Sequence, residues 1–139
     1  MIAICSPLRA QMKMPVGWSY AIKKTNPSEA IIFIKATIEK DWHIYSAFQK
    51  DGGPTKTSFS FAQSEAYILI GSIIEPKPFT TFEVAFGIDV SSFEKQVIFQ
   101  QKIKLKQGKA TVKGKVKYMA CNDHECLPED EVEFSIPVQ

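Results

Sequence analysis

Two of the three cysteines in this chain lie close enough in sequence to make and break a covalent bond with each other reversibly. They are Cys121 and Cys126, in the run Tyr118-Met119-Ala120-Cys121-Asn122-Asp123-His124-Glu125-Cys126-Leu127-Pro128. The run lies where an alternating, strand-like segment gives way to a polar turn, and a second alternating segment follows over 132–138. If the cysteines flank a hairpin loop made of Asn122, Asp123, His124 and Glu125, they oppose each other. Opposed Cα atoms in an antiparallel pair stand about 4.5–5.5 Å apart. A disulfide accepts about 4.4–6.8 Å, so a bridge forms there without rearranging the backbone.

Three chemistries compete for such a pair. A structural staple closing so short a loop contributes only about 2 kcal/mol by chain-entropy reasoning, less than a bridge between distant strands. A zinc site drawn from Cys121, His124, Cys126 and His43 fits no common ligand spacing and has no second cysteine pair. A redox pair is the third, and it is not the helical Cys-x-x-Cys of thioredoxins. Asp123, Glu125, Glu129, Asp130 and Glu131 crowd the loop, which disfavours a free thiolate, while His124 partly offsets them. Such a pair receives or passes electrons when a more reactive thiol attacks it.

The elements that position the pair read as strands. Segments 16–22, 29–40, 57–62, 67–74, 82–90, 97–105, 110–118 and 132–138 are rich in β-branched and aromatic residues, and no segment keeps a helical period over three turns. Over 29–40 the near-continuous apolar character suggests a strand buried on both faces at its start. Over 82–90, Phe82, Val84, Phe86, Ile88 and Val90 fall on one side of a period-two pattern. Turn signals lie over 23–28, at Asp51-Gly52-Gly53-Pro54 and at Glu75-Pro76-Lys77-Pro78, where paired prolines exclude a central strand. Eight or nine short strands with this punctuation argue an all-β, two-sheet antiparallel sandwich, with a closed barrel as the alternative.

Composition narrows the function classes. A chain of 139 residues with 45% apolar and 23% charged residues is one globular domain. Its net charge of +2 is too small to argue for nucleic acid. No apolar run reaches the roughly 20 residues that span a bilayer. Residues 1–11 start apolar and end small and polar, like the tail of a secretory signal peptide that lacks its basic start and most of its apolar centre, with the frayed N-terminus of a cytosolic protein as the alternative. Cys5 follows Ile4 where a lipid-anchor cysteine would follow a small residue. If the signal is cleaved, only Cys121 and Cys126 remain, an even count that one bridge uses up. Nothing points to an organic cofactor or a metal, and neither histidine sits in a nucleophile motif.

Several segments together resemble the N-terminal periplasmic domain of the thiol:disulfide interchange protein DsbD, the disulfide bond corrector family. They are Val116 through Cys121, Cys126-Leu127-Pro128, Val132 through Ile136, Ile38 through Ser46 with Trp42, His43 and Tyr45, Gly53-Pro54-Thr55, and Glu75 through Pro78 leading to Phe82 and Phe86. The resemblance spans nearly the whole chain from Trp18 onward, within a domain set at 12–139. It implies an immunoglobulin-like sandwich that takes electrons from a thioredoxin-like, DsbD C-terminal-type donor. It implies periplasmic acceptors such as disulfide isomerases and cytochrome c maturation proteins. By the same resemblance Cys126 is the cysteine that partners attack and Cys121 resolves the mixed disulfide.

The family shields its pair with an aromatic cap, and 76–86 occupies that region, so by this resemblance Phe79 or Phe82 is the expected lid, with Phe86 as cover or support. Trp42, His43 and Tyr45 match the family's aromatic strand beside the cysteines, with core packing as the alternative for Trp42. His124 and Pro128 flank the pair. Two features depart from the family: its well-known members have one more residue between the cysteines, and often Pro-Pro where this chain has Pro128-Glu129. Membrane and thioredoxin-like parts are expected on a separate polypeptide or a longer chain. The competing reading is a non-enzymatic binding or assembly sandwich with a hairpin staple.

Overall fold

The computed structural model describes residues 14–139. Residues 1–11, read as a signal remnant, and Cys5 lie outside them. Ten strands form three antiparallel sheets among the described residues. The first sheet has the order β1-β2-β8-β5, from β1 (Val16–Asn26), β2 (Glu29–Ile38), β8 (Gln96–Leu105) and β5 (Tyr67–Ile74). The second has the order β10-β9-β4, from β10 (Asp130–Val138), β9 (Ala110–Tyr118) and β4 (Ser58–Phe61). The third is small, with β3 (Ile44–Tyr45), β7 (Ile88–Phe93) and β6 (Phe79–Glu83) in the order β3-β7-β6. The result is an immunoglobulin-like antiparallel β-sandwich. No helix among the described residues is long and apolar enough to cross a membrane.

Alternation builds the core. Ala30, Ile32, Ile34, Ala36 and Ile38 of β2 and Val97, Phe99, Ile103 and Leu105 of β8 are buried. They meet Val112 and Tyr118 of β9 and Phe134, Ile136 and Val138 of β10 across the sandwich. Trp18, Phe59, Phe93 and Tyr118 surround this interface, and Trp18 stacks on Phe99 at 6.4 Å between ring centroids. Apolar burial on this scale is what holds the two sheets face to face.

Three expectations change. β2 is not buried on both faces: its inward residues are covered throughout, and Ile31 and Phe33 on the other face are only half-buried. β1 runs on to Asn26, and the turn after it is confined to residues 27–28, closed by the Ser28 N–H donating to Asn26 Oδ1 at 2.9 Å. Segment 82–90 is not one strand. It is the hairpin of β6 and β7, and its turn closes with the Gly87 N–H donating to Glu83 O at 2.8 Å. Gly87 has φ +71°, a conformation in which a Cβ is strained. Before the turn the period-two pattern therefore marks exposed side chains rather than a buried face, since Phe82 is 59% and Val84 86% exposed, whereas Val90, past the turn, is buried.

Gly114 shows how closely the second sheet is drawn together. It pairs with Phe134 on one side and Phe61 on the other. A Cβ there would lie 2.2 Å from the Ser60 carbonyl oxygen and 2.7 Å from Phe134 Cζ. Because one obstacle is backbone, the sheet itself must move to relieve it. Gly114→Ala is expected to destabilise the domain by about 1–3 kcal/mol, as overpacking does. Urea denaturation measures it as a lowered midpoint with an unchanged slope.

Candidate functional site

The cysteine pair hangs from the end of the second sheet. The β9–β10 ladder is regular up to Tyr118 opposite Asp130. The Leu127 N–H then donates to Ala120 O at 2.9 Å, and Cys121 opposes Cys126 as an antiparallel bridge. From Tyr118 to Cys121 is three steps and from Asp130 to Cys126 is four, so the register shifts by one residue. Pro128, with no N–H to give a ladder, lies in this irregular stretch, where a strand tolerates proline. The loop 122–125 is closed by the Asn122 N–H donating to Glu125 O, and Asn122 Oδ1 accepts the His124 and Glu125 N–H groups, each bond 2.8 Å long. An Asx turn of this kind suits asparagine at that position.

Cys121 and Cys126 are joined in a disulfide with their Cα atoms 4.0 Å apart, closer than the opposed-strand spacing expected from sequence. The two halves differ sharply: Cys121 is 2% exposed, whereas Cys126 is open to solvent. Cys121 is also held from its other side. Its N–H donates to His43 O at 3.0 Å and its O accepts the His43 N–H at 2.9 Å. That bridge joins the hairpin to the segment that becomes β3, and so to the third sheet.

Together these elements enclose a cleft of about 380 Å³. Alternate residues of each strand face it: His43 and Tyr45, then Phe79, Thr81 and Glu83 of β6, then Val90, Ser92 and Glu94 along and just past β7. Cys121, Asn122, Asp123 and Cys126 form its floor and rim, with Phe86 and Pro54 at its margin. Tyr45, Val90 and Cys121 make one buried cluster. Two polar clamps hold the surrounding loops. Glu75 accepts from Ser46 Oγ at 2.5 Å and from the Ala47 N–H at 2.9 Å. The buried Gln49 side chain accepts from the Ser91 N–H at 2.7 Å and donates to Asp89 O at 3.1 Å.

His43 Nε2 lies 2.9 Å from the Tyr45 hydroxyl. Burial pushes the His43 imidazole below the usual histidine value of 6.5, against the opposing pull of Glu94, Asp123 and Glu83. Burial, aided by Glu83, pushes the Tyr45 phenol up to about 12. The phenol therefore keeps its proton at any physiological pH.

The structure brings together most of the residues singled out from sequence, but not all. His43, Tyr45, Phe79 and Phe86 line the cleft with both cysteines. Trp42 does not; it is buried in the main core with Val16, Ile38 and Tyr118. Phe82 alternates with Phe79 and Thr81 and lies on the other face of β6, away from the cleft lining. His124 and Pro128 are exposed beside the pair, outside the cleft. Sequence reasoning missed the carboxylates Glu83 and Glu94 and the clamps Gln49 and Glu75, and it placed Asn122 in the loop without assigning it the closing role. Asn122 carried a usable signal, an asparagine opening a tight loop. Among the described residues, no group of three or more His, Cys, Asp or Glu side chains is placed to hold a metal ion.

Fold and site thus define an immunoglobulin-like sandwich that carries one asymmetrically exposed disulfide in a cleft at its end. The family model for the thiol:disulfide interchange protein DsbD, N-terminal, matches residues 12–137, and the chain belongs to that family. Among solved structures it is similar to the N-terminal periplasmic domain of ScsB from Proteus mirabilis, at 16% identity and a TM-score of 0.59, over 91% of this chain and 49% of that one. The chain thus spans about half the length of that relative. It is also similar to the reduced DsbD N-terminal domain of Neisseria meningitidis, at 13% identity and a TM-score of 0.57, over 95% of this chain and 94% of that one. A third similar structure is of the complex between the DsbD and PilB N-terminal domains from Neisseria meningitidis, at 13% identity and a TM-score of 0.55, over 95% of this chain and 86% of that one. No curated protein matches.

The low His43 value makes stability pH-dependent. The unfolded chain takes up a proton near 6.5, before the folded chain does. Stability is therefore full above that pH and declines as pH falls toward the folded value. His43→Gln is expected to flatten this decline, measured as denaturation midpoints across the window. An unchanged slope would assign the effect to other groups.

Proposed function

We propose that this domain is a periplasmic thiol–disulfide exchange module. It passes reducing equivalents through Cys121 and Cys126 from a thioredoxin-like donor to oxidised protein partners, of the kind that disulfide isomerases and cytochrome c maturation proteins represent. The observation that carries the reading is the asymmetry of the disulfide, with Cys126 open and Cys121 buried. A partner thiolate reaches Cys126 first. The bond that forms is to Cys126, the bond that breaks is Cys121–Cys126, and the electron pair leaves on the Cys121 sulfur. The partner's second thiol then releases the reduced pair as a dithiol.

Further support comes from the surface beside the cleft. Phe79, Val84 and Phe86 are exposed on the β6–β7 hairpin, apolar surface of the kind that a protein partner covers. The periplasmic setting follows the family and the ScsB domain, and a disulfide persists in that compartment. The DsbD–PilB complex is a precedent, within the family, for a partner protein.

Two measurements test the proposal. A redox titration is expected to place the pair well above the roughly −300 mV below which structural bridges lie; a potential far below that value makes it a staple. Cys121→Ala leaves Cys126 unpaired, and a stable mixed disulfide with a thioredoxin-like protein is expected. If the pair is only a staple, no such adduct forms, and Cys121→Ala/Cys126→Ala loses about 2 kcal/mol of stability while partner binding is kept.

A further inference from the structure

This inference rests on the exchange reading and adds the route of the proton. When a partner thiolate attacks Cys126, the Cys121 sulfur departs as an anion into a buried position. Glu83 from β6, Glu94 after β7 and Asp123 from the hairpin loop line the same cleft. Burial and like charge both disfavour a thiolate there. A proton delivered as the bond breaks removes that obstacle.

The cleft holds one hydrogen-bonded pair suited to the task. His43 Nε2 and the Tyr45 hydroxyl are 2.9 Å apart, with the rings edge-on at 90°. The His43 backbone is bonded to Cys121 in both directions, and Tyr45 shares the buried cluster of Cys121. We infer that Tyr45 protonates the departing Cys121 thiolate and that His43, acting through Tyr45, is the positioning residue that sets when it does so. With His43 protonated, Nε2–H donates to the phenol oxygen, and the phenol hydrogen is free for the sulfur. With Nε2 bare, it accepts that hydrogen instead and turns it away from the sulfur.

The step balances. The partner thiolate and the disulfide give the mixed disulfide at Cys126 and a Cys121 thiolate. That thiolate and the histidinium give a Cys121 thiol and a neutral histidine, the phenol passing one proton on and receiving one. The reductant is the attacking dithiol. Because the phenol holds its proton up to about 12, it does not supply the sulfur unless the imidazole refills it. In the reverse direction the same pair takes the proton back.

The test is the rate of reduction of the full chain by dithiothreitol between about pH 5 and pH 8, divided by the concentration of dithiothreitol thiolate. For the native protein this corrected rate is expected to fall about a hundredfold as His43 loses its proton, the lower end of a general-acid effect. His43→Gln and Tyr45→Phe are each expected to give a flat profile at the native high-pH level. Either variant carries the test if the other fails to fold. A variant that reacts but keeps the native pH profile overturns the relay and leaves the exchange reading standing. A native pair that reacts with neither dithiothreitol nor a thioredoxin-like protein overturns both.

Discussion

The site depends on one short contact, the two-way backbone bridge between His43 and Cys121. Each such bond contributes about 0.5–1.5 kcal/mol net, a small amount beside the core. Its effect is geometric. It ties the β9–β10 hairpin to the third sheet, seals Cys121 on the side away from Cys126, and sets the His43 ring at the edge of the cleft. Through it the disulfide is held against the third sheet, with Cys121 covered by Tyr45 and Val90 and Cys126 open.

The large core makes that precision affordable. Phe99, Ile32, Ile34 and Ile103 fix the two main sheets, so the end of the sandwich can carry strained and polar features. Asp41, with φ +72°, turns the chain out of β2 so that Trp42 points into the core and His43 and Tyr45 face the cleft. The third sheet has little core of its own. Side-chain clamps from Gln49 and Glu75 hold it instead, together with the pairing of β3 to β7.

Much of this was legible in the sequence because it is local. The sandwich follows from alternation in β8, β9 and β10, and the opposition of Cys121 and Cys126 follows from a four-residue polar loop between strand-like runs. The β6–β7 hairpin was less legible. Phe82, Val84 and Phe86 alternate as a buried strand would, and only Gly87 hints at the turn that exposes them. Which of Phe79 and Phe82 faces the cysteines depends on the pairing of β6 with β7, a register no local pattern encodes. The clamps from Gln49 and Glu75 reach across 42 and 29 residues of sequence. The register shift at Pro128 leaves no pattern beyond the proline itself.

The proposed exchange has a direction: Cys126 is the sulfur that partners attack, and Cys121 is the one that leaves. The most direct measurement uses the native disulfide and a thioredoxin-like protein whose second cysteine has been replaced, so that the first mixed disulfide persists. Peptide mapping of the acid-quenched adduct by mass spectrometry identifies the linked cysteine. The account predicts linkage through Cys126 with Cys121 recovered as a free thiol. Linkage through Cys121 would contradict it.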